Sequence, residues 1–282
     1  MTEVIYNPIA GEGRGLERAR AWAKANVLNA DCRFTDITKV SAFDHIESLP
    51  EGVRAVIAGG DGTLNRLAND VNGRKFTHPV DYVATGSGND FQTDTGISTP
   101  DKTIRLNEQV ENAPCAYANG RAFRFINGVG LGLDGYCCDS VDEARRKGKK
   151  KPSYIAFAVK GLLRSYIPAR AAVTVDGVRT EYSRVWMVST MKGRYYGGGF
   201  KIAPEQDRRD ESMRVSVVIA HDLSRLRAIF FFLMAKNGRH TGLKKNLTTV
   251  KGNSVTVEFS RPAAMQIDGE VLRDVTGYEV KT

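Results

Sequence analysis

The chain has no Cys/His metal-ligand spacing and no cysteine framework. Cys32, Cys115, Cys137 and Cys138 show no Cys-x-x-Cys or Cys/His spacing, which excludes a zinc module and a disulfide-stapled scaffold and fits a reducing cytoplasm. His45, His78, His221 and His240 are isolated from one another in sequence, so no imidazole base or ligand group is indicated. Long hydrophobic runs are missing too. The strongest, Ala228 to Ala235, is eight residues long, against the ~20 that span a bilayer. The sequence begins on an apolar strand and not on a charged start followed by an apolar core, so no secretory signal is expected. Internal repeats, low-complexity linkers and motifs that read DNA or RNA are also absent. A soluble or membrane-peripheral protein remains.

What is present is bulk and positive charge. A chain of 282 residues, 41% hydrophobic, is expected to form two domains of ordinary size. The net charge of +9 calls for an anionic partner: nucleotide, acidic lipid headgroups or nucleic acid. Six cations are concentrated in Arg145 to Lys151, just ahead of Pro152. That run is expected to be a loop, either plainly solvated or attracted to an anionic membrane surface.

Three glycine-rich loops carry the chemistry. In Arg54 to Asn65 an apolar strand runs into Gly59-Gly60-Asp61-Gly62-Thr63-Leu64-Asn65. Glycines there let backbone N–H groups approach phosphate oxygens, and the helix that follows offers its positive end to the same anion. Asp61 is placed to reach a phosphate-bound Mg²⁺ or a substrate hydroxyl. The alternative is a tight strand-to-helix turn with Thr63 as its cap. A second strand, Val80 to Ala84, runs into Thr85-Gly86-Ser87-Gly88-Asn89-Asp90-Phe91, and a third, Val4 to Tyr6, into Asn7-Pro8-Ile9-Ala10-Gly11. In an open α/β sheet, loops at the carboxyl ends of strands converge on one ligand.

With these loops, Phe125 to Gly132, Gly193 to Gly199, Ala203-Pro204 with Asp210, and Asp268-Gly269-Glu270, the chain resembles the diacylglycerol kinase catalytic-domain family nearly end to end. That family includes bacterial lipid kinases and sphingosine kinases and is distantly similar to NAD kinases. Gly-Ser-Gly-Asn-Asp-Phe favours the lipid-kinase branch. The resemblance implies ATP and Mg²⁺ as cofactors, with nucleotide held by Asn7, Gly59, Gly60, Asp61, Gly62, Thr63, Asn65, Gly86, Ser87, Asn89 and Asp90. It gives Glu270 the position of the proton acceptor, with Asp61 assisting catalysis. By residues alone, Met265 to Leu272 reads as a hairpin with an Asp-Gly turn, as does Val175-Asp176-Gly177-Val178.

Pro204 to Met213 resembles a family segment that holds a structural Mg²⁺ through Asp210 and a backbone carbonyl such as that of Met213. Here Glu211 replaces the family's glycine after the aspartate, and a charged surface loop is an equal reading. The family's acid in the strand before Phe-x-Asn is missing from Pro114 to Asn119: either another carboxylate such as Asp134 compensates, or substrate and rate differ from those of the usual bacterial diacylglycerol kinases.

Short strands alternate with helical stretches (Leu16 to Leu28, Thr63 to Val71) before residue 115, and strands dominate after it. The expected fold is an α/β N-terminal domain with a parallel sheet, of the NAD kinase/diacylglycerol kinase kind, over 1–114. A β-rich sandwich domain completes the active-site cleft over 115–282. Helices are expected near Tyr154 to Ser165 and from Ser224 to Asn237, and a strand over Met213 to Ile219. The expected activity is ATP-dependent phosphorylation of a lipid alcohol such as diacylglycerol, by a cytoplasmic protein peripheral to an anionic membrane, with no nucleic-acid partner and a homodimer left open. The alternatives are a nucleotide-binding regulatory protein with little catalysis and a kinase of a soluble acceptor such as NAD.

Overall fold

The computed structural model describes residues 1–27, 31–97, 102–149, 153–243 and 245–282. It divides into two compact units, Met1–Ala113 with Gly197–Gly199, and Pro114–Tyr196 with Phe200–Thr282.

The first unit follows from its alternation of apolar strands and amphipathic helices. Its strands β1 (Thr2–Tyr6), β2 (Cys32–Asp36), β3 (Arg54–Gly59), β4 (Val80–Ala84) and β5 (Ile104–Arg105) lie in the order β2-β1-β3-β4-β5. The first four run parallel, and β5 is antiparallel to β4. The interior strands are buried along nearly their whole length, as a sheet covered on both faces requires. The chain steps from β1 to β2 on one side and onward to β3 on the other, so the strand order reverses between β1 and β3, where α/β sheets open a crevice for ligand. After β1 comes one turn, α1 (Ala10–Gly13), with Gly11 and Glu12 left-handed, and then α2 (Gly15–Asn26). The helices α3 (Ala42–Glu47), α4 (Asp61–Val71), α5 (Asp90–Thr95) and α6 (Asn107–Glu111) complete the unit.

The second unit is a β-sandwich with helices on one side. Its strands are β6 (Cys115–Ala118), β7 (Arg121–Arg124), β8 (Gly128–Gly132), β9 (Ala169–Val175), β10 (Val178–Met191), β11 (Val215–His221), β12 (Leu247–Gly252), β13 (Ser254–Ile267) and β14 (Glu270–Lys281). The long strands β10 and β13 each pair with β9 over one half and with β8 over the other, and each breaks register between the halves. In β11, Val215, Val217 and Ile219 join the sandwich core while Val218 and Ala220 join a second core with Trp186, Phe231 and Phe232. The two-residue period of a strand thus serves two cores, which explains why its apolar run is nearly continuous.

The helices α7 (Leu133–Arg146), α8 (Tyr154–Lys160) and α9 (Arg225–Ala235) carry this second core. Three expectations change here. The helix from Tyr154 is α-helical only to Lys160 and continues as a π-helical turn, Gly161–Ser165. The strand expected from Met213 starts at Val215, because Met213 has a φ of 55° in the turn before it. Arg145 and Arg146 belong to the last turn of α7 and not to a loop, while Lys150 and Lys151 lie outside the described residues.

Candidate functional site

The carboxyl ends of β1 and β3 meet in a small hydrogen-bonded knot. Asn7 Nδ2 donates to Thr63 Oγ1 at 2.9 Å, and the Gly60 N–H donates to the same oxygen at 3.3 Å. Thr63 is buried, so its hydroxyl locks the loop and is not presented to a ligand. Asn65, half-buried on the next turn, accepts from Asn69 through its carbonyl and Oδ1. The glycines of the two loops pack closely by backbone: a Cβ on Gly86 would lie 2.5 Å from Gly60 Cα, which excludes a side chain there, and one on Gly60 would lie 3.0 Å from Gly86 Cα, which it fits only if the facing loop gives way.

Carboxylates fasten the second loop. Asp61 accepts the N–H groups of Asp90 at 3.0 Å and Phe91 at 2.9 Å, so the acid of the first loop caps the helix that follows the second. Asp90, itself buried, accepts from Gly198 at 2.8 Å and Gly199 at 2.7 Å. Both glycines have positive φ, 80° and 103°, a conformation that turns successive N–H groups toward one acceptor. Arg18 Nη1 donates to the carbonyls of Thr85 and Gly86 at 2.8 and 3.1 Å. Asn89 sits in the left-handed region and donates to Gly86 O, while Ser87 is exposed. Thr85 Oγ1 and Asn89 Oδ1 are buried without a partner, two of four such atoms among the described residues. Beneath the loops Tyr82 donates to Gly59 O, and burial, reinforced by Asp61, raises its pKa well above the ordinary phenol value.

In the second unit the hairpin Ile267 to Glu270 is tied down by its aspartate. Asp268 accepts the N–H groups of Ile126, Asn127 and Gly128 at 2.6, 2.9 and 2.9 Å. Its neighbour Glu270 starts β14 and is exposed. Asp134 lies in the interior, where it accepts from the Gly135 N–H, Tyr196 Oη and Ser189 Oγ at 3.0, 3.1 and 3.2 Å. Burial raises its pKa to about 6, against the opposing pull of those donors. The strand β6 carries no acid.

Asp210 accepts the N–H and hydroxyl of Ser212 at 2.9 and 2.6 Å and faces Arg214 at 3.6 Å, and the Ser212 bonds lower its pKa. Met213 donates its N–H to the Asp210 carbonyl at 2.9 Å. These partners close a turn. Among the described residues no group of three or more His, Cys, Asp or Glu is arranged to hold a metal.

Sequence reasoning missed Arg18, the bond from Asp90 to the Gly198–Gly199 segment, and the threefold grip of Asp268. The glycine triplet 197–199 was the only signal for the second of these, and the pairing of Asp-Gly with Phe-Ile-Asn-Gly for the third.

Residues 2–115 match the diacylglycerol kinase catalytic domain, and residues 127–279 match the YegS C-terminal NAD kinase beta sandwich-like domain. A protein of Bacillus subtilis (strain 168) described as "Putative lipid kinase YtlR" is 23% identical over 95% of this chain and 92% of its own. A "Putative lipid kinase" of Staphylococcus carnosus (strain TM300) is 24% identical over 80% of this chain and 72% of its own. The crystal structure of a "putative diacylglycerol kinase" from Bacillus anthracis str. Sterne superposes with a TM-score of 0.68 at 18% identity, covering 99% of this chain and 93% of that one, which shows a common fold.

Proposed function

Because the chain belongs to the family that joins a diacylglycerol kinase catalytic domain to a YegS-type C-terminal sandwich, we propose that it transfers the γ-phosphate of ATP to the hydroxyl of a lipid such as diacylglycerol. The observation that carries this reading is the backbone contact of Gly60 with Gly86, clamped by the bonds from Asp61 to Asp90 and Phe91. The loops after β3 and β4 are thereby held together beside the switch point between β1 and β3, with the N-terminus of the 11-residue helix α4 next to them. Such an arrangement offers N–H groups and a positive helix end to a polyphosphate.

Phosphoryl transfer asks little covalent chemistry of a protein. We assign the phosphate contacts to the backbone at Gly62 and to exposed Ser87, while Gly59, Gly60 and Gly86, whose backbone groups bond within the two loops, let those loops pack closely. Asn7, Thr63, Asn65, Asn89 and Asp90 hold those loops in shape. Magnesium carried by the triphosphate would neutralise charge, and Asp61 is the carboxylate of the cradle that would meet it. Glu270, on a hairpin fixed by Asp268, accepts the proton of the lipid hydroxyl.

The test is transfer of label from γ-labelled ATP to a panel of lipid alcohols and to NAD. Label in a lipid is the expected result. Label in NAD alone would keep the phosphotransferase and remove the lipid, and label in neither would leave a nucleotide-binding protein.

A further inference from the structure

The positive charge of this chain is not spread over it. Residues 144–175 and 223–257 hold 16 Lys and Arg and not one Asp or Glu, while the rest of the chain holds 25 cations against 32 acids. Apart from these two stretches the protein is net acidic.

The same two stretches expose apolar side chains. On α9, Leu226, Phe230 and Leu233 are 78%, 56% and 55% exposed. Their spacing of four and three residues puts them on one stripe, opposite the buried stripe of Ala228, Phe231, Phe232 and Ala235. The helix is therefore apolar on both faces, and only one face has a partner in the fold. Its neighbours extend the exposed side. The π-helical turn 161–165 packs against α9, Arg225 Nη1 donates to the Leu162 carbonyl at 2.7 Å, and Leu163, Ile155 and Ile167 are exposed along that segment.

Lys160, Arg164, Arg227, Lys236 and Arg239 are exposed on these elements, and among the described residues none of the five forms an ion pair. By contrast Arg145, in the last turn of α7, and Lys147, just after it, are paired with Asp142 and Glu143. An apolar stripe rimmed by unpaired cations, with acids excluded from the surrounding sequence, complements an anionic interface whose interior is apolar.

We propose that the outer face of α9, with the adjoining turn 161–167, docks on an anionic lipid bilayer, the stripe entering the headgroup layer and the cations meeting lipid phosphates. The inference rests on exposure and charge and goes beyond the phosphotransfer reading. Among the described residues no helix is long and apolar enough to cross a membrane, so the contact is interfacial.

Co-sedimentation with vesicles tests it without any phosphorylation step. The parent should bind phosphatidylglycerol–phosphatidylcholine vesicles at least tenfold better than phosphatidylcholine alone. A Leu226→Ser, Phe230→Ser, Leu233→Ser variant, whose thermal unfolding should match the parent because these side chains are exposed, should bind the anionic vesicles at least tenfold more weakly with its charge unchanged. A Phe230→Trp variant should shift its emission to the blue when vesicles are added, since native Trp22 and Trp186 are buried and give a constant background. Undiminished vesicle binding by the triple variant, or an unshifted tryptophan, would overturn the proposal. So would a parent dimer in sedimentation velocity that the triple variant abolishes, because the stripe would then be a contact between copies of this chain.

Discussion

Asp61 and Phe91 are joined at 2.9 Å, the carboxylate of the first glycine loop receiving the backbone N–H that opens the helix after the second. With the adjacent bond to Asp90, one side chain sets the spacing of the two loops. Asp61→Asn replaces one accepting oxygen by a donor that opposes an N–H. Stability should fall by about 1–3 kcal/mol, the cost of a poorly satisfied buried donor. ATP affinity should fall with it. Chemical denaturation and calorimetry on the same preparation check both, and a variant with unchanged stability and affinity would show that the loops keep their spacing without the carboxylate.

Gly62 separates ligand binding from folding. A Cβ at this position meets nothing within 4 Å. Gly62→Val should therefore fold while placing bulk where phosphate oxygens are proposed to lie. ATP affinity should drop at least tenfold, about 1.4 kcal/mol, by calorimetry. Retained affinity would remove the cradle assignment.

Glu270 separates binding from chemistry. Glu270→Gln keeps volume and loses the base, so ATP affinity should persist while turnover falls roughly a hundredfold or more. Turnover at the parent rate would make the residue only a member of the hairpin. Loss of nucleotide binding would reassign it to the phosphate site.

Asp134 predicts a pH dependence of stability. Its folded pKa is raised from 3.8 to about 6, chiefly by burial. The folded state thus holds its proton more tightly than the unfolded state does. The stability associated with the neutral acid is complete below the unfolded pKa and is lost as pH rises toward 6, by about 3 kcal/mol in total. Asp134→Asn should flatten that part of the profile. Urea midpoints of parent and variant from pH 4 to 7 check it, and parallel curves would exclude Asp134 as the source.

The β-α alternation, the glycine loops and both Asp-Gly hairpins were legible because each has a local signature. Asp176 and Asp268 do take the left-handed conformation such turns need, with φ of 47° at both. The parallel sheet and β-sandwich, and the family itself, were recognised for the same reason. The bonds that hold the site together were not legible. Asp90 reaches Gly198 across 108 residues, and nothing local distinguishes an aspartate that caps distant N–H groups from one that faces solvent. Arg145 shows the reverse: local pattern puts it in a loop, and the last turn of α7 takes it instead.

Strand β11 belongs to two cores at once, so neither can loosen while the other stays intact. Its amides, with those of the adjoining β10, should exchange with deuterium only when the whole second unit opens. The sandwich and its helical cover then melt as one cooperative body, and a cavity made at Val218 should be felt on the far side of the sheet at Val217.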